Sequence, residues 1–188
     1  MRWNQPRPFF TTKASIPLLA LILCSQSIGS YQRFTLEETI FHEVAEEENI
    51  DPLLLYAVAI TESASSKGGG YIAPSPYVFR TKQGPRFFET RPEAEAALRE
   101  ALKISRNIDI GMMQINFHYH PHHNPMDLLD PYHNLKAAAK YLKNTMSTTD
   151  DPILGVGRYH SWTEERSRWY GERVWQIYRN LLQITAFD

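Results

Sequence analysis

The sequence predicts a mainly α-helical domain carrying a small β-hairpin insertion, and three observations lead to that expectation. Asp-Pro pairs recur at Asp51-Pro52, Asp130-Pro131 and Asp151-Pro152, each opening a run with helical character. Aspartate accepts the free N–H groups of a first helical turn, and proline fits the first helical position without losing a hydrogen bond. Leu36, Ile40 and Val44 fall at four-residue spacing among acidic residues, the stripe of an amphipathic helix. Between Ser65 and Gly84 the helical period stops, and glycine and proline take over.

Taken in order, the first helix is expected over Leu36 to Asn49. The second runs from Leu53 to Ser63 behind the Asp51-Pro52 start, and is apolar almost all round, which predicts burial. Gly68-Gly69-Gly70 and two prolines then mark a loop, after which Tyr77-Val78-Phe79 and Phe87-Phe88 flank Gln83-Gly84-Pro85 as the arms of a hairpin. Thr90 and Glu93 around Pro92 form a capping-box pattern before an alanine-rich helix to about Lys103. Asp130 opens a helix through Ala137, Ala138, Ala139, Tyr141 and Leu142, Asp151 a shorter one near Ile153 to Tyr159, and Thr163 to Leu182 closes the chain helically. Five or six helices result, with no tandem repeat and no long linker.

A length of 188 residues with 43% hydrophobic and 12% aromatic content suits one globular domain with its own core. The net charge of -1 excludes the global basic field of a nucleic-acid or membrane-surface binder. Residues 1–29 stand apart: Arg2, Arg7 and Lys13 precede the apolar stretch Ile16 to Cys24, and Ser25 to Ser30 is small and polar. That layout predicts a secretory signal peptide, leaving residues 31–188 as the exported domain. The apolar stretch is shorter than the roughly 20 residues a bilayer span needs; Pro6, Pro8 and Pro17 leave a retained N-terminal anchor as the alternative. Cys24, the single cysteine, lies inside this segment.

Glu62 is the chemically distinctive residue. Leu55, Val58 and Ala59 share its helical face, so the carboxyl stands among apolar neighbours at the negative end of a helix dipole. Both conditions oppose ionisation and raise a carboxyl toward the range of a proton donor.

Asp51-Pro52-Leu53-Leu54-Leu55 through Ile60-Thr61-Glu62-Ser63 resembles the lytic transglycosylase segment that ends in a catalytic glutamate and a following serine. Ile110-Gly111-Met112-Met113-Gln114-Ile115-Asn116 is similar to that family's Gly-Leu-Met-Gln-Ile block, and Asn134-Leu135 through Ala138 to Tyr141-Leu142 to its Asn-Leu-x-x-Ala-x-x-Tyr-Leu packing helix. Val156-Gly157-Arg158-Tyr159-His160-Ser161 stands where the family has Ala-Tyr-Asn; Arg158 and His160 depart from the pattern. The resemblance covers roughly Leu36 to Leu182 and implies a lysozyme-like fold.

It also implies that Glu62 cuts the β-1,4 bond between N-acetylmuramic acid and N-acetylglucosamine without water, leaving 1,6-anhydromuramoyl ends. Ser63 and Tyr159 would orient Glu62 or the N-acetyl group, while Gly111, Met113, Gln114, Asn116 and His160 would form the sugar groove. No cofactor or metal is required, and the partners are peptidoglycan strands, not nucleic acid, met by a monomer. Pro74-Ser75-Pro76-Tyr77, Arg86-Phe87-Phe88 and the Tyr159-His160 ending resemble the branch found with conjugative elements and type IV secretion or pilus machines, whose components are the expected protein partners.

Three alternatives stay open. A hydrolytic muramidase ordinarily needs a second carboxylate, and Asp109, the one acidic residue beside the Gly111 block, reads as a turn or cap residue. A wall-binding scaffold would keep the groove without the chemistry. His118-Tyr119-His120-Pro121-His122-His123 has histidines to bind zinc, but crowds them on one loop with no HExxH spacing and no cysteine.

Overall fold

The computed structural model describes residues 34–185. The segment read as a signal peptide therefore lies outside the described residues. Among the described residues, six α-helices and two small antiparallel sheets follow in the order α1 (Ile40–Glu48), α2 (Pro52–Ser63), β1 (Ala64–Gly68), β2 (Tyr71–Pro74), β3 (Val78–Thr81), β4 (Gly84–Phe87), α3 (Arg91–Ile104), β5 (Asp109–Ile110), β6 (Ile115–Asn116), a 3-10 turn (Pro125–Leu129), α4 (Pro131–Met146), α5 (Pro152–Gly157) and α6 (Glu164–Thr185).

Each Asp-Pro start caps as expected. Asp51 accepts from the backbone N–H groups of Leu53 and Leu54, Asp130 from His133, and Asp151 from Ile153 and Leu154. Thr90 and Glu93 close a complete capping box on α3. α2 is the central helix: Leu55, Tyr56, Ala57, Val58 and Ala59 are fully buried. It packs against α1 and α6, and α6 in turn lies along α5. That last crossing is close enough that a methyl at Gly157 would sit 1.9 Å from the carbonyl oxygen of Ser167.

Three expectations are corrected. α1 starts at Ile40, not Leu36, because Glu38 takes a left-handed φ of 59° and the Thr39 hydroxyl donates to the Leu36 carbonyl, closing a turn ahead of the helix. The stretch read as a loop is a second hairpin, with Ala64 facing Pro74 and Ser66 facing Ile72. Finally, α5 stops at Gly157; Tyr159 and His160 continue as i→i+3 turns onto Val156 and Gly157.

The hairpin expected around Gln83-Gly84-Pro85 is β3–β4, with Val78 opposite Phe87 and Thr81 opposite Gly84. It extends into a four-stranded sheet in the order β4-β3-β5-β6. Phe79, Ile110 and Ile115 turn into the core from this sheet. Among the described residues, no helix is long and apolar enough to cross a membrane.

Candidate active site

Glu62 sits one residue from the end of the buried helix α2, where the helix surfaces. It is half-buried. Desolvation pushes its carboxyl from an ordinary 4.5 up to about 7; a hydrogen bond from Tyr170 opposes that rise, the Asp109 charge adds to it, and Arg80 opposes it. A carboxyl so placed is substantially protonated at neutral pH and still able to ionise, which suits one group that must give and then take a proton.

The hydroxyl on Glu62 is that of Tyr170, whose Oη donates to Oε1 at 2.6 Å. Burial, with the Glu62 charge next, holds the Tyr170 phenol far above its usual range, so it stays a donor. Tyr159, expected in this role, is one layer back: its Oη donates to the Met113 carbonyl at 2.7 Å, and its ring lies 6.4 Å from that of Tyr170. Tyr170 was not singled out in the sequence. The available signal was its place with Ser167, Gly171 and Val174 on the buried stripe of α6, since a buried tyrosine hydroxyl needs a partner.

His160 lies parallel on Tyr170, with ring centroids 4.9 Å apart and planes 1° from coplanar. Desolvation lowers its pKa, Asp109 opposes that, and Arg166 and Arg80 add to it, so the imidazole is neutral at neutral pH. The Trp169 ring stands tilted to His160 at 6.4 Å and is 59% exposed. His160 and Trp169 thus extend a run of exposed aromatic rings from the tyrosine on Glu62, the kind of surface on which a sugar's C–H face packs.

The turn between β5 and β6 is joined to this cluster through the Tyr159 hydroxyl on the Met113 carbonyl. Gly111 takes a φ of 78°, and a side chain there would come within 2.3 Å of the Leu128 carbonyl oxygen and 2.5 Å of Asn134 Nδ2. Asn134, fully buried on α4, clamps the turn: Nδ2 donates to the Ile110 carbonyl, and Oδ1 accepts from the Met113 N–H, both at 2.8 Å. The motif expected to act largely in packing thus also holds this turn. Removing this clamp by Asn134→Ala is expected to cost about 3 kcal/mol in thermal or denaturant unfolding, since two buried backbone groups lose their partner.

Three residues expected at the groove or on Glu62 are held away from it. Gly111 and Met113 are buried, Met113 completely, so they act through the backbone of the turn. Ser63 is buried too; its hydroxyl donates to the Ala59 carbonyl at 3.1 Å and accepts from the Ser75 N–H at 3.2 Å. Ser63 therefore fastens the end of the first hairpin to α2. Gln114, half-buried, donates Nε2 to the Gly111 carbonyl at 2.9 Å, while its Oε1 is buried without a hydrogen-bond partner among the described residues.

Asn116 donates through Nδ2 to Asp109 Oδ1 at 2.7 Å and to Asn107 Oδ1 at 2.8 Å. In the histidine loop, His120 packs edge-on against Tyr141 at 4.3 Å. Among the described residues, no group of three His, Cys, Asp or Glu side chains is placed to hold a metal ion.

Residues 92–182 match the Transglycosylase SLT domain. That domain is the one carried by lytic transglycosylases, enzymes that act on peptidoglycan, and it marks this chain's activity as theirs. The matched residues take in all but the first residue of α3, the Gly111 turn, α4, α5 and most of α6, with Tyr159 and Tyr170; α2 and Glu62 precede them. Comparison with curated proteins and with solved structures returned no match.

Proposed function

We propose that Glu62 is the single acid/base of this enzyme and that its product is a 1,6-anhydromuramoyl end. The carrying observation is a half-buried carboxyl raised to about 7 with one fixed hydrogen bond, from Tyr170. Protonated Glu62 gives its proton to the glycosidic oxygen, the bond to muramic acid C1 breaks, and the sugar's N-acetyl group stabilises the cation. Glu62, now a carboxylate, takes the proton of the C6 hydroxyl as O6 bonds to C1. No water enters, and Glu62 returns to its starting state.

Tyr170 orients the carboxyl, Tyr159 and Asn134 hold the β5–β6 turn, and His160, Gln114 and Asn116 face the strand. Cleavage in water enriched in oxygen-18 tests the reaction: transglycosylation leaves the new muramoyl ends unlabelled, whereas hydrolysis labels them. Tyr170→Phe is expected to lower kcat about 10-fold and move the alkaline limb of the rate profile to higher pH, because the hydrogen bond that favours ionised Glu62 is lost.

The setting follows from the substrate. Peptidoglycan lies outside the cytoplasmic membrane, and the basic-apolar-polar layout of residues 1–29 supports export of the domain by a signal peptide. The resemblance of the insertion to the conjugative and pilus branch supports local opening of the wall for an envelope-spanning machine. Co-purification of the Glu62→Gln variant with components of such a machine is the expected result; recovery of peptidoglycan alone would remove that assignment.

A further inference from the structure

Sheet register sets a second carboxylate on the face of the four-stranded sheet turned away from the core. Arg80 on β3 stands opposite Asp109 on β5, and Asp109 opposite Asn116 on β6, one row across three strands. The adjoining row of Phe79, Ile110 and Ile115 is in the core, and since side chains alternate across a strand, Arg80, Asp109 and Asn116 occupy the other face. Asp109 Oδ1 is fixed by Asn116 at 2.7 Å, and Oδ2 has no hydrogen bond among the described residues. The same hairpin reaches Glu62 through contacts already described: Met113 to Tyr159, Tyr159 to the Tyr170 ring, and Tyr170 to Glu62.

We infer that Asp109 is a second functional carboxylate of this site, standing as an anion beside the sugar and stabilising the positive charge that develops at C1 when Glu62 protonates the leaving oxygen. The role rests on the assignment of Glu62 above and deepens it. Its bonding fits: the Asn116 amide holds one oxygen while the other is free to face a cation. An electrostatic role needs no covalent bond to Asp109 and leaves the transglycosylation sequence unchanged.

The charged and titratable groups that act on Asp109 come from several elements: Glu62 on α2, Arg80 on β3, and Tyr159 and His160 after α5; on α6, Arg166 acts on His160, and Tyr170, with Arg173 acting on it, meets Glu62. Desolvation raises the Asp109 carboxyl, while Asn116, Arg80 and His160 lower it. Since the anion is the working form, wild-type activity falls on the acid side as Asp109 takes up its proton. Glu62 works in the opposite form and sets the alkaline limb.

The test is a set of pH–rate profiles for anhydro-ended product from purified glycan strands, for the wild type, Asp109→Asn, Asp109→Glu and Arg80→Gln. For Asp109→Asn, kcat is expected to fall roughly 10- to 100-fold with KM little changed. Its acid limb disappears, and its alkaline limb moves to lower pH because Glu62 loses a negative neighbour. Asp109→Glu restores part of kcat and the acid limb. Arg80→Gln keeps both limbs and moves both to higher pH, a readout independent of whether Asp109→Asn folds well. An Asp109→Asn enzyme with wild-type kcat and both limbs in place overturns the inference, as does an Arg80→Gln profile that does not move. If the wild type itself forms no anhydro ends, the assignment of Glu62 fails first, and the two failures are thereby distinguished.

Discussion

Glu62→Gln is expected to abolish strand cleavage, by at least about 1,000-fold, and at the same time to make the protein more stable above pH 7. The activity follows from losing the only group proposed to exchange a proton with the substrate. The stability follows from linkage. The folded-state pKa of Glu62, about 7, lies above its ordinary 4.5, so the fold favours the neutral carboxyl. That contribution is fully present below pH 4.5 and is lost as pH rises through 7. Allowing for the exposed edge of the side chain, the loss is about 2 kcal/mol, or a melting temperature about 5 °C lower. Glutamine keeps the shape and the Tyr170 contact without the charge, so the two proteins should melt together near pH 4.5 and separate by pH 8, with the variant higher.

The second large effect is expected at Gly111. Gly111→Ala adds a methyl 2.3 Å from the Leu128 carbonyl oxygen and against the Asn134 side chain, in a backbone with φ of 78°. Neither neighbour can give way: Leu128 is backbone, and Asn134 is fully buried with hydrogen bonds to both sides of the turn. The cost should be at least about 3 kcal/mol, from overpacking, left-handed strain and two disturbed buried hydrogen bonds together. The same turn supplies the carbonyl that holds Tyr159 and the hairpin that carries Asp109, so surviving folded enzyme should show a reduced kcat. Thermal unfolding with circular dichroism checks the first part and strand cleavage at low temperature the second.

How far the sequence could be read depended on whether the determining interactions were local. Helix starts were legible because their caps lie within three residues: Asp51, Asp130, Asp151 and the Thr90–Glu93 box all form as expected. The first hairpin was not. Ala64-Ser65-Ser66-Lys67-Gly68 has neither the β-branched residues nor the alternation of a strand, and its partner is kept in place from outside, by Ser75 bonding to Ser63. Helix α1 started late because of one left-handed residue, Glu38, which carries no glycine signal.

The site divides the same way. Glu62 was legible from its apolar helical face, and the Gly111 block from its motif. The tyrosine on Glu62 comes from a helix 108 positions away in sequence, so neither spacing nor motif could choose between Tyr159 and Tyr170. In sequence Asp109 reads as a turn or cap residue, because its neighbours in the row, Arg80 and Asn116, are set only by strand register.

The most direct test of the account is the rate of 1,6-anhydromuramoyl product formation by the wild-type enzyme across pH 5 to 9. With Glu62 as the acid, the rate should fall about tenfold per pH unit above an apparent pKa near 7, and the limb should move upward in Tyr170→Phe. A rate that holds constant to pH 9, or product formed by Glu62→Gln, would contradict it.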